Sequence, residues 1–208
     1  MTSTQILLCS NNKHKINEYT AIARLHHISV KFLTLDMLSH TLDCPETGHS
    51  FLENALQKAH AYIEQNNANI VFPFLTEDSG ICVDALAGAP GMYSARFGSD
   101  EGIATDKDRA MHLLDTMNQI TYVSKRSAHY VSATILYYSK KQYIVAEEIW
   151  EGHLAFDYIT GTTGFGYDPV FIPTGYKTPV SSITESEKHE LSHRSRAFRR
   201  VMAGYEAL

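Results

Sequence analysis

The stretch QILLCSNNKHKINEYTAIARLHHISVKF, residues 5 to 32, decides how the fold begins. It opens with a short apolar run, and a polar segment follows directly. Ile16, Tyr19 and Ala23 then recur at the spacing of one helix face. From residue 28 to residue 32, apolar and polar side chains alternate as they do in a half-buried strand. The opening is therefore predicted to form a β-α-β unit.

Three further helices are predicted from apolar periodicity and from polar residues that can cap their first turns. In one of them, Ser50 and Glu53 form the S-x-x-E pattern of a capping box. The predicted ranges are 50 to 66, 105 to 117 and 193 to 205, with Ser50, Thr105 and Ser192 as N-caps.

Strands are predicted where β-branched and aromatic residues cluster. The runs from 126 to 139 and from 142 to 150 surround two lysines and predict a hairpin. A shorter run from 74 to 76 leads into the acidic pair Glu77 and Asp78. That pair is therefore expected at the end of a strand.

Length and composition favour one ordinary globular domain spanning residues 1 to 208. No run approaches the roughly 18 to 20 apolar residues of a membrane helix, and the N-terminus lacks the regions of a signal peptide. We expect a cytoplasmic protein with no membrane partner. Cys9, Cys44 and Cys82 are widely spaced, which fits neither a disulfide framework nor a zinc site.

The formal net charge of -5 argues against nucleic acid as a partner, because tracking a backbone requires clustered positive charge. Basic residues nevertheless concentrate between Lys188 and Arg200. A small polyanion fits such a patch better than a duplex does.

The segment SNNKHK, residues 10 to 15, is the first candidate site, because amides at a helix N-terminus bind phosphate. It matches neither a Walker loop nor G-x-G-x-x-G. On local grounds it can equally be a solvated basic turn, just as Glu53 can serve only in a capping box. Asp78 lies in EDSG, whose carboxylates suit Mg²⁺ but also suit an exposed acidic turn.

Two later segments offer groups that can recognise a base. GFGYDP, residues 164 to 169, combines glycines, aromatic rings and a carboxylate, although a plain turn has the same composition. Ser192-His193-Arg194 opens a helix, where the side chains can donate to a purine oxygen or a phosphate. The alternative is a cationic helix start that is merely solvated.

Taken in order, these segments closely resemble the inosine triphosphate pyrophosphatase family, and the resemblance runs almost from end to end. Five ordered motifs are far more specific than any one of them. They are SNNKHK at 10 to 15, SFLENALQKA at 50 to 59, EDSGICVDALAGAPGMYSAR at 77 to 96, GFGYDP at 164 to 169 and SHRSRA at 192 to 197.

The resemblance implies an α/β fold, with a long curved mixed β-sheet flanked by helices in two lobes and a central cleft. It also implies a homodimer that hydrolyses dITP, ITP and XTP to the monophosphate and pyrophosphate, with Mg²⁺ as cofactor. Alternatives are a pyrophosphatase for modified pyrimidine triphosphates and a catalytically silent nucleotide-binding module. The motifs for the base count against the first, and the retained Lys15, Glu53 and Asp78 count against the second.

Roles for individual residues follow from the resemblance alone. Glu53 and Asp78 would hold Mg²⁺, and Glu77 or Asp78 would activate water. Donors from His193 and Arg194 would select an oxygen at purine C6 and leave the amino group of adenine unpaired. The implied substrate-binding residues are Ser10, Asn12, Lys15, Lys58, Ser79, Phe165, Gly166, Tyr167, Asp168, Lys188, His193 and Arg194.

Two positions depart from the usual motifs of that family. His14 stands where a glycine is usual and adds bulk beside the phosphate loop. Glu77 stands where the acidic pair more often begins with Asp, and it keeps the charge.

Overall fold

The computed structural model describes residues 3 to 208 of the chain. Its strands are β1 (Thr4–Leu8), β2 (Val30–Thr34), β3 (Phe74–Val83), β4 (Ser127–Ser139), β5 (Gln142–Leu154) and β6 (Phe171–Pro173). Its α-helices are α1 (Lys13–Leu25), α2 (Phe51–Gln65), α3 (Asp106–Thr116), α4 (Glu185–Leu191) and α5 (His193–Glu206). The opening β-α-β unit, the three capped helices and the two long strands joined by two residues are confirmed.

The six strands form one sheet in the order β2-β1-β3-β4-β5-β6. β1 pairs in parallel with β2 and with β3, and Leu7 lies opposite Phe74. β5 pairs antiparallel with β6, where Gly152 lies opposite Pro173. The sheet is therefore mixed and carries helices, which confirms the α/β class.

Capping fixes the first turns of the helices as predicted. The hydroxyl of Ser50 accepts a hydrogen bond from Glu53 N at 3.1 Å, and that of Thr105 accepts one from Asp108 N at 3.1 Å. Each bond satisfies an amide that a helix start leaves without an intrahelical partner. Ser192 acts in the same way at the start of α5.

Two strand predictions need correction. Glu77 and Asp78 lie in the middle of β3 and not at its end, because the strand continues to Val83. β3 lies between β1 and β4 in the sheet and is buried almost throughout, so pairing on both sides outweighs the weak strand propensity of Asp, Ser and Gly. Residues 171 to 173, for which no strand was predicted, form the edge strand β6.

The chain divides into two compact units, each with its own core. The first unit comprises the chain up to Asp78, Ser132–Glu148 and Ser192–Leu208, and the second comprises Ser79–Val131 and Ile149–Leu191. Tyr19, Ile22 and Phe198 belong to the core of the first unit, whereas Trp150 and Phe171 belong to that of the second. The single domain over residues 1 to 208 stays a prediction.

No helix between residues 3 and 208 is long and apolar enough to cross a membrane. The prediction that the N-terminus lacks the regions of a signal peptide also covers Met1 and Thr2, which lie outside the described residues. The three cysteines are free thiols, and Cys9 and Cys82 are buried.

Candidate active site

The loop after β1 builds the N-terminus of α1 from the residues predicted to bind phosphate. The Asn12 side-chain oxygen accepts hydrogen bonds from His14 N at 2.9 Å and from Lys15 N at 3.3 Å. Asn12 N in turn donates to the Ser10 hydroxyl at 3.1 Å. The His14 side chain is exposed, and its backbone amide takes part in the cap. The added bulk therefore leaves the helix start intact.

Glu77 is the most strongly paired carboxylate of the first unit. Its Oε2 lies 2.7 Å from Lys15 Nζ, and its Oε1 lies 3.2 Å from an Arg194 nitrogen. Ser132 donates its hydroxyl to the same Oε1 at 3.1 Å. Burial lowers the pKa of Lys15 although Glu77 opposes that change. Two cationic side chains therefore contact Glu77, which is 5% exposed.

Arg194 is buried at the start of α5 and joins two acidic residues. Its guanidinium pairs with Glu18 and with Glu77. Burial alone would lower the pKa of Arg194, but these two carboxylates raise it above the usual value. His193, the other residue predicted to read the base, is also buried. Both terminal nitrogens of the Arg194 guanidinium therefore contact carboxylates.

Asp78 forms a second buried cluster in the first unit. Its Oδ1 lies 2.9 Å from Lys58 Nζ, and its Oδ2 accepts from the Asn54 amide at 3.0 Å. Lys58 also contacts Glu46 Oε1 at 2.8 Å and the Glu77 carbonyl at 3.1 Å. Burial lowers the pKa of Lys58, yet Asp78 and Glu46 outweigh it and raise that pKa. The predicted phosphate ligand therefore lies between two carboxylates.

The two carboxylates that can accompany Asp78 at a metal differ in their contacts. Glu53 is exposed, and its Oε2 accepts a 2.6 Å hydrogen bond from His49 N. Glu46 shares the Lys58 ammonium with Asp78 and has a left-handed φ of 50°. A non-glycine residue in that region is strained, and such strain concentrates at functional sites. Sequence reasoning missed Glu46, because nothing distinguishes it from other residues of a polar loop.

The chemistry of this donor set fits Mg²⁺, which prefers carboxylate and other oxygen ligands. Among residues 3 to 208, however, no group of three or more His, Cys, Asp or Glu side chains is arranged to hold a metal ion. The ammonium of Lys58 occupies the place between Glu46 and Asp78.

The segment Gly164–Asp168, called the base loop below, closes around Asp168 in the second unit. Asp168 Oδ2 accepts from Phe165 N at 2.8 Å and lies 2.7 Å from Lys188 Nζ. Tyr130 donates its hydroxyl to Oδ1 at 3.3 Å. Gly164 has φ 86°, and a Cβ there would lie 2.4 Å from Asp168 Oδ2. The carboxylate is therefore fixed in one orientation that requires glycine at position 164.

The aromatic residues of the base loop have different environments. Lys188 Nζ lies 4.9 Å from the centre of the Phe165 ring, a cation–π contact. Tyr167 is buried in the core of the second unit, and its hydroxyl donates to the Ser94 carbonyl at 2.8 Å. Gly166 N donates to an Asp106 carboxylate oxygen at 3.3 Å. Phe165 is therefore half-buried against Lys188, whereas Tyr167 is buried in the core of the second unit.

The cationic patch predicted between Lys188 and Arg200 is exposed to solvent only in part. Lys188, His193 and Arg194 are buried, and Lys188 and Arg194 pair with carboxylates. Arg200, by contrast, is largely exposed and pairs with Glu148. The sequence indicated the concentration of charge correctly, but it could not show that buried acids neutralise much of it.

Comparison with known proteins shows the family of the chain. Residues 6–204 match the model of the Ham1 family. The chain is 35% identical over 206 residues to a dITP/XTP pyrophosphatase of Chromobacterium violaceum, with 98% of each chain covered. It is 36% identical over 201 residues to a dITP/XTP pyrophosphatase of Streptomyces coelicolor, with 96% of each covered.

Solved structures give the same result. A Ham1 protein from Coxiella burnetii superposes with a TM-score of 0.82 at 29% identity, over 99% of this chain and 100% of that one. The Staphylococcus aureus Ham1 protein superposes with a TM-score of 0.80 at 27% identity, over 98% of this chain and 99% of that one.

Proposed function

The chain belongs to the Ham1 family, and we propose from this premise that it hydrolyses noncanonical purine nucleoside triphosphates. dITP, ITP and XTP would be converted to the monophosphate and pyrophosphate, which removes deaminated purines from the nucleotide pool. The observation that carries the proposal is the near-complete match to proteins named dITP/XTP pyrophosphatase. The enzyme is thus a nucleoside-triphosphate pyrophosphatase, and the silent binding module has no support.

We assign the triphosphate to the start of α1 and to two lysines. Ser10 and Asn12 present polar groups where the amides of α1 begin, and the positive end of the helix dipole favours phosphate there. Lys15 and Lys58 would neutralise charge that develops on the pyrophosphate leaving group. Both ammonium groups already contact carboxylates, so phosphate oxygens would replace partners of the same charge.

We propose that Mg²⁺ is held by Asp78 together with Glu53 or Glu46. The metal would polarise phosphate oxygens and favour formation of hydroxide from water. Asp78 is the preferred base for the attacking water, because it contacts one cationic side chain. Glu77 contacts two, and its proposed role is to balance Lys15 and Arg194.

The base would be recognised by two groups of residues. In the second unit, Phe165 would stack on the purine, and Gly166 and Asp168 would offer backbone and carboxylate groups, with Lys188 and Tyr167 supporting them. Ser79 would contact the substrate from β3. In the first unit, His193 and Arg194 would donate to the C6 oxygen. A site built for one hydrogen-bonding pattern rejects the wrong base strongly, because its own polar groups are left unpaired.

We further propose a cytoplasmic homodimer. Tyr143 and Val145 are exposed two positions apart on β5, so this part of one strand face presents apolar side chains to solvent. Closed dimers bury such patches. Sedimentation of the wild type and of Val145→Glu tests this assignment, since the charged variant is expected to sediment as a monomer.

The test of function is pyrophosphate release from ITP, XTP, dITP, ATP, GTP and dTTP with Mg²⁺. We expect rapid release from the first three nucleotides only. Asp78→Asn should reduce the rate by at least about a hundredfold, the usual contribution of a general base. Equal hydrolysis of all six nucleotides would refute the assignment of the base residues. Preference for dTTP would favour a pyrimidine enzyme, and no hydrolysis would revive the silent module.

A further inference from the structure

We propose that Ser94 is a positioning residue that fixes the base loop to the second half of β3. This inference rests on the proposed function, because the base loop is assigned there to purine recognition. All of the contacts that carry it lie within the second unit. Ser94 would touch no substrate, and it would act through Tyr167 and Ile81.

The hydroxyl of Ser94 satisfies a buried amide of β3. Ser94 lies in the 3₁₀ segment Gly91–Arg96 and is 7% exposed. Its Oγ accepts a hydrogen bond from Ile81 N at 2.9 Å and donates one to Gly91 O at 2.6 Å. Ile81 is completely buried, so its amide has no access to water if the hydroxyl is removed. The hydroxyl therefore ties the 3₁₀ segment to the strand.

The carbonyl of Ser94 holds the base loop. Tyr167 donates its hydroxyl to Ser94 O at 2.8 Å, and both residues are buried. Burial raises the pKa of Tyr167, so the phenol remains a neutral donor. Tyr167 directly precedes Asp168, the carboxylate assigned to the base. The position of that carboxylate is therefore coupled to the main chain of residue 94.

Ser94 thus joins two hydrogen bonds in series, from Ile81 to its side chain and from Tyr167 to its main chain. Ile81 follows Ser79, a residue assigned to the substrate, by two positions on β3. Loss of either bond leaves Asp168 with its bonds to Phe165 and Lys188, so the loop stays closed. The base loop would, however, no longer be held in a fixed position relative to β3. Discrimination between bases depends on such positioning within fractions of an ångström.

The experiment compares Ser94→Ala, Tyr167→Phe and their double variant, with kcat and KM measured for ITP and GTP. Each single variant should raise KM for ITP about tenfold while kcat changes less. The ratio of kcat/KM for ITP over GTP should fall about fivefold or more. Because the two bonds act in series, the double variant should lose little more selectivity than either single variant.

Tyr62→Phe is the matched control, because Tyr62 is also buried and also loses a hydrogen-bonded phenol. Its hydroxyl accepts from Val71 N at 3.1 Å and lies 3.1 Å from His40 Nδ1, and neither partner is assigned to the base. It should lower the melting temperature and keep the selectivity for ITP. Melting curves of all variants show whether Ser94→Ala folds, and Tyr167→Phe, which keeps its ring, provides the test if it does not.

Unchanged selectivity in a folded Tyr167→Phe, with only a lower melting temperature, would overturn the inference alone. The same holds if Tyr62→Phe loses as much selectivity as the two test variants. A wild-type protein that hydrolyses neither ITP nor GTP would overturn the proposed function, and this inference with it.

Discussion

The two units hold their charged residues in different ways. In the first unit, three cations and four carboxylates form two linked clusters, whose members lie on β3, α1 and α2, at the start of α5 and in the loop before α2. In the second, the buried ion pair between Lys188 and Asp168 contacts the ring and the backbone amide of Phe165. The members in the first unit are Lys15, Lys58 and Arg194 with Glu18, Glu46, Glu77 and Asp78.

This difference corresponds to two tasks of the proposed reaction, the binding of the triphosphate and metal in the first unit and the orientation of the base loop in the second. His193 and Arg194 of the first unit are also proposed to donate to the base. A triphosphate is recognised by its charge. The two clusters of the first unit contain one more carboxylate than cations, which would give a divalent cation a partner. A base is recognised by the direction of its hydrogen bonds, so the second unit needs one carboxylate in a fixed orientation. The balance of charges should therefore determine binding in the first unit, and the orientation of hydrogen-bonding groups should determine it in the second.

The largest effect is expected when the charge balance of the first unit is broken. Arg194→Met removes a cationic partner of Glu18, which is 8% exposed, and a cationic partner of Glu77. Removing one partner of a buried ion pair costs about 3–5 kcal/mol. Unfolding in urea measures the loss.

Adding Glu18→Gln to Arg194→Met gives the control, because a neutral amide is far easier to bury than an unpaired carboxylate. The double variant should recover a large part of the lost stability. If the single variant is as stable as the wild type, the buried ion pairs are not what organises this unit.

The next effect separates the two carboxylates proposed to accompany Asp78 at the metal. Glu46→Gln should raise the Mg²⁺ concentration for half-maximal activity about tenfold or more, because Glu46 already shares a cation with Asp78. Glu53→Gln should change it less, because that side chain bonds to His49 N. Activity measured against Mg²⁺ concentration distinguishes them, and a larger effect of Glu53→Gln would restore the motif-based assignment.

A smaller effect is expected in the second unit. Lys188→Met leaves Asp168 with hydrogen bonds from Phe165 N and Tyr130, so the base loop should keep its shape. KM for ITP should rise roughly tenfold, equivalent to about 1.4 kcal/mol, while the Mg²⁺ requirement stays unchanged. A changed Mg²⁺ requirement would contradict the separation of tasks between the units.

The smallest effect tests whether the loss of stability depends on the burial of an ion pair and not on ion pairing as such. Arg200 pairs with Glu148, but its side chain is 73% exposed. Arg200→Ala should therefore change the stability by about 0–1 kcal/mol. Urea unfolding alongside Arg194→Met gives the comparison, and similar losses in both variants would show that burial is not the deciding factor.

Sequence patterns predicted the elements whose signals are local. The helix starts at Ser50, Thr105 and Ser192 were correct, because a cap depends on residues within one turn. The central part of β3 was missed, because Asp78, Ser79 and Gly80 are poor strand residues and only their neighbours in the sheet keep them extended.

The candidate site was predictable as a set of motifs and not as a set of contacts. Ordered motifs indicated Lys15, Asp78 and Arg194, but the pairing of Arg194 with Glu18 joins residues 176 positions apart. No spacing rule along the chain reports such a contact. Glu46 and Ser94 were missed for the same reason, since each gains its importance from a partner brought close only by folding.

The path of the chain through the two units has a consequence for inheritance. The backbone passes from one unit to the other after Asp78, Val131, Glu148 and Leu191. A single crossover between two related genes therefore cannot exchange the whole second unit without also exchanging part of the first. Transplanting the second unit, which holds the base loop, would require two separate segments to be inherited together. Changes of base preference in such enzymes are thus expected to arise by point substitution and not by exchange of a module.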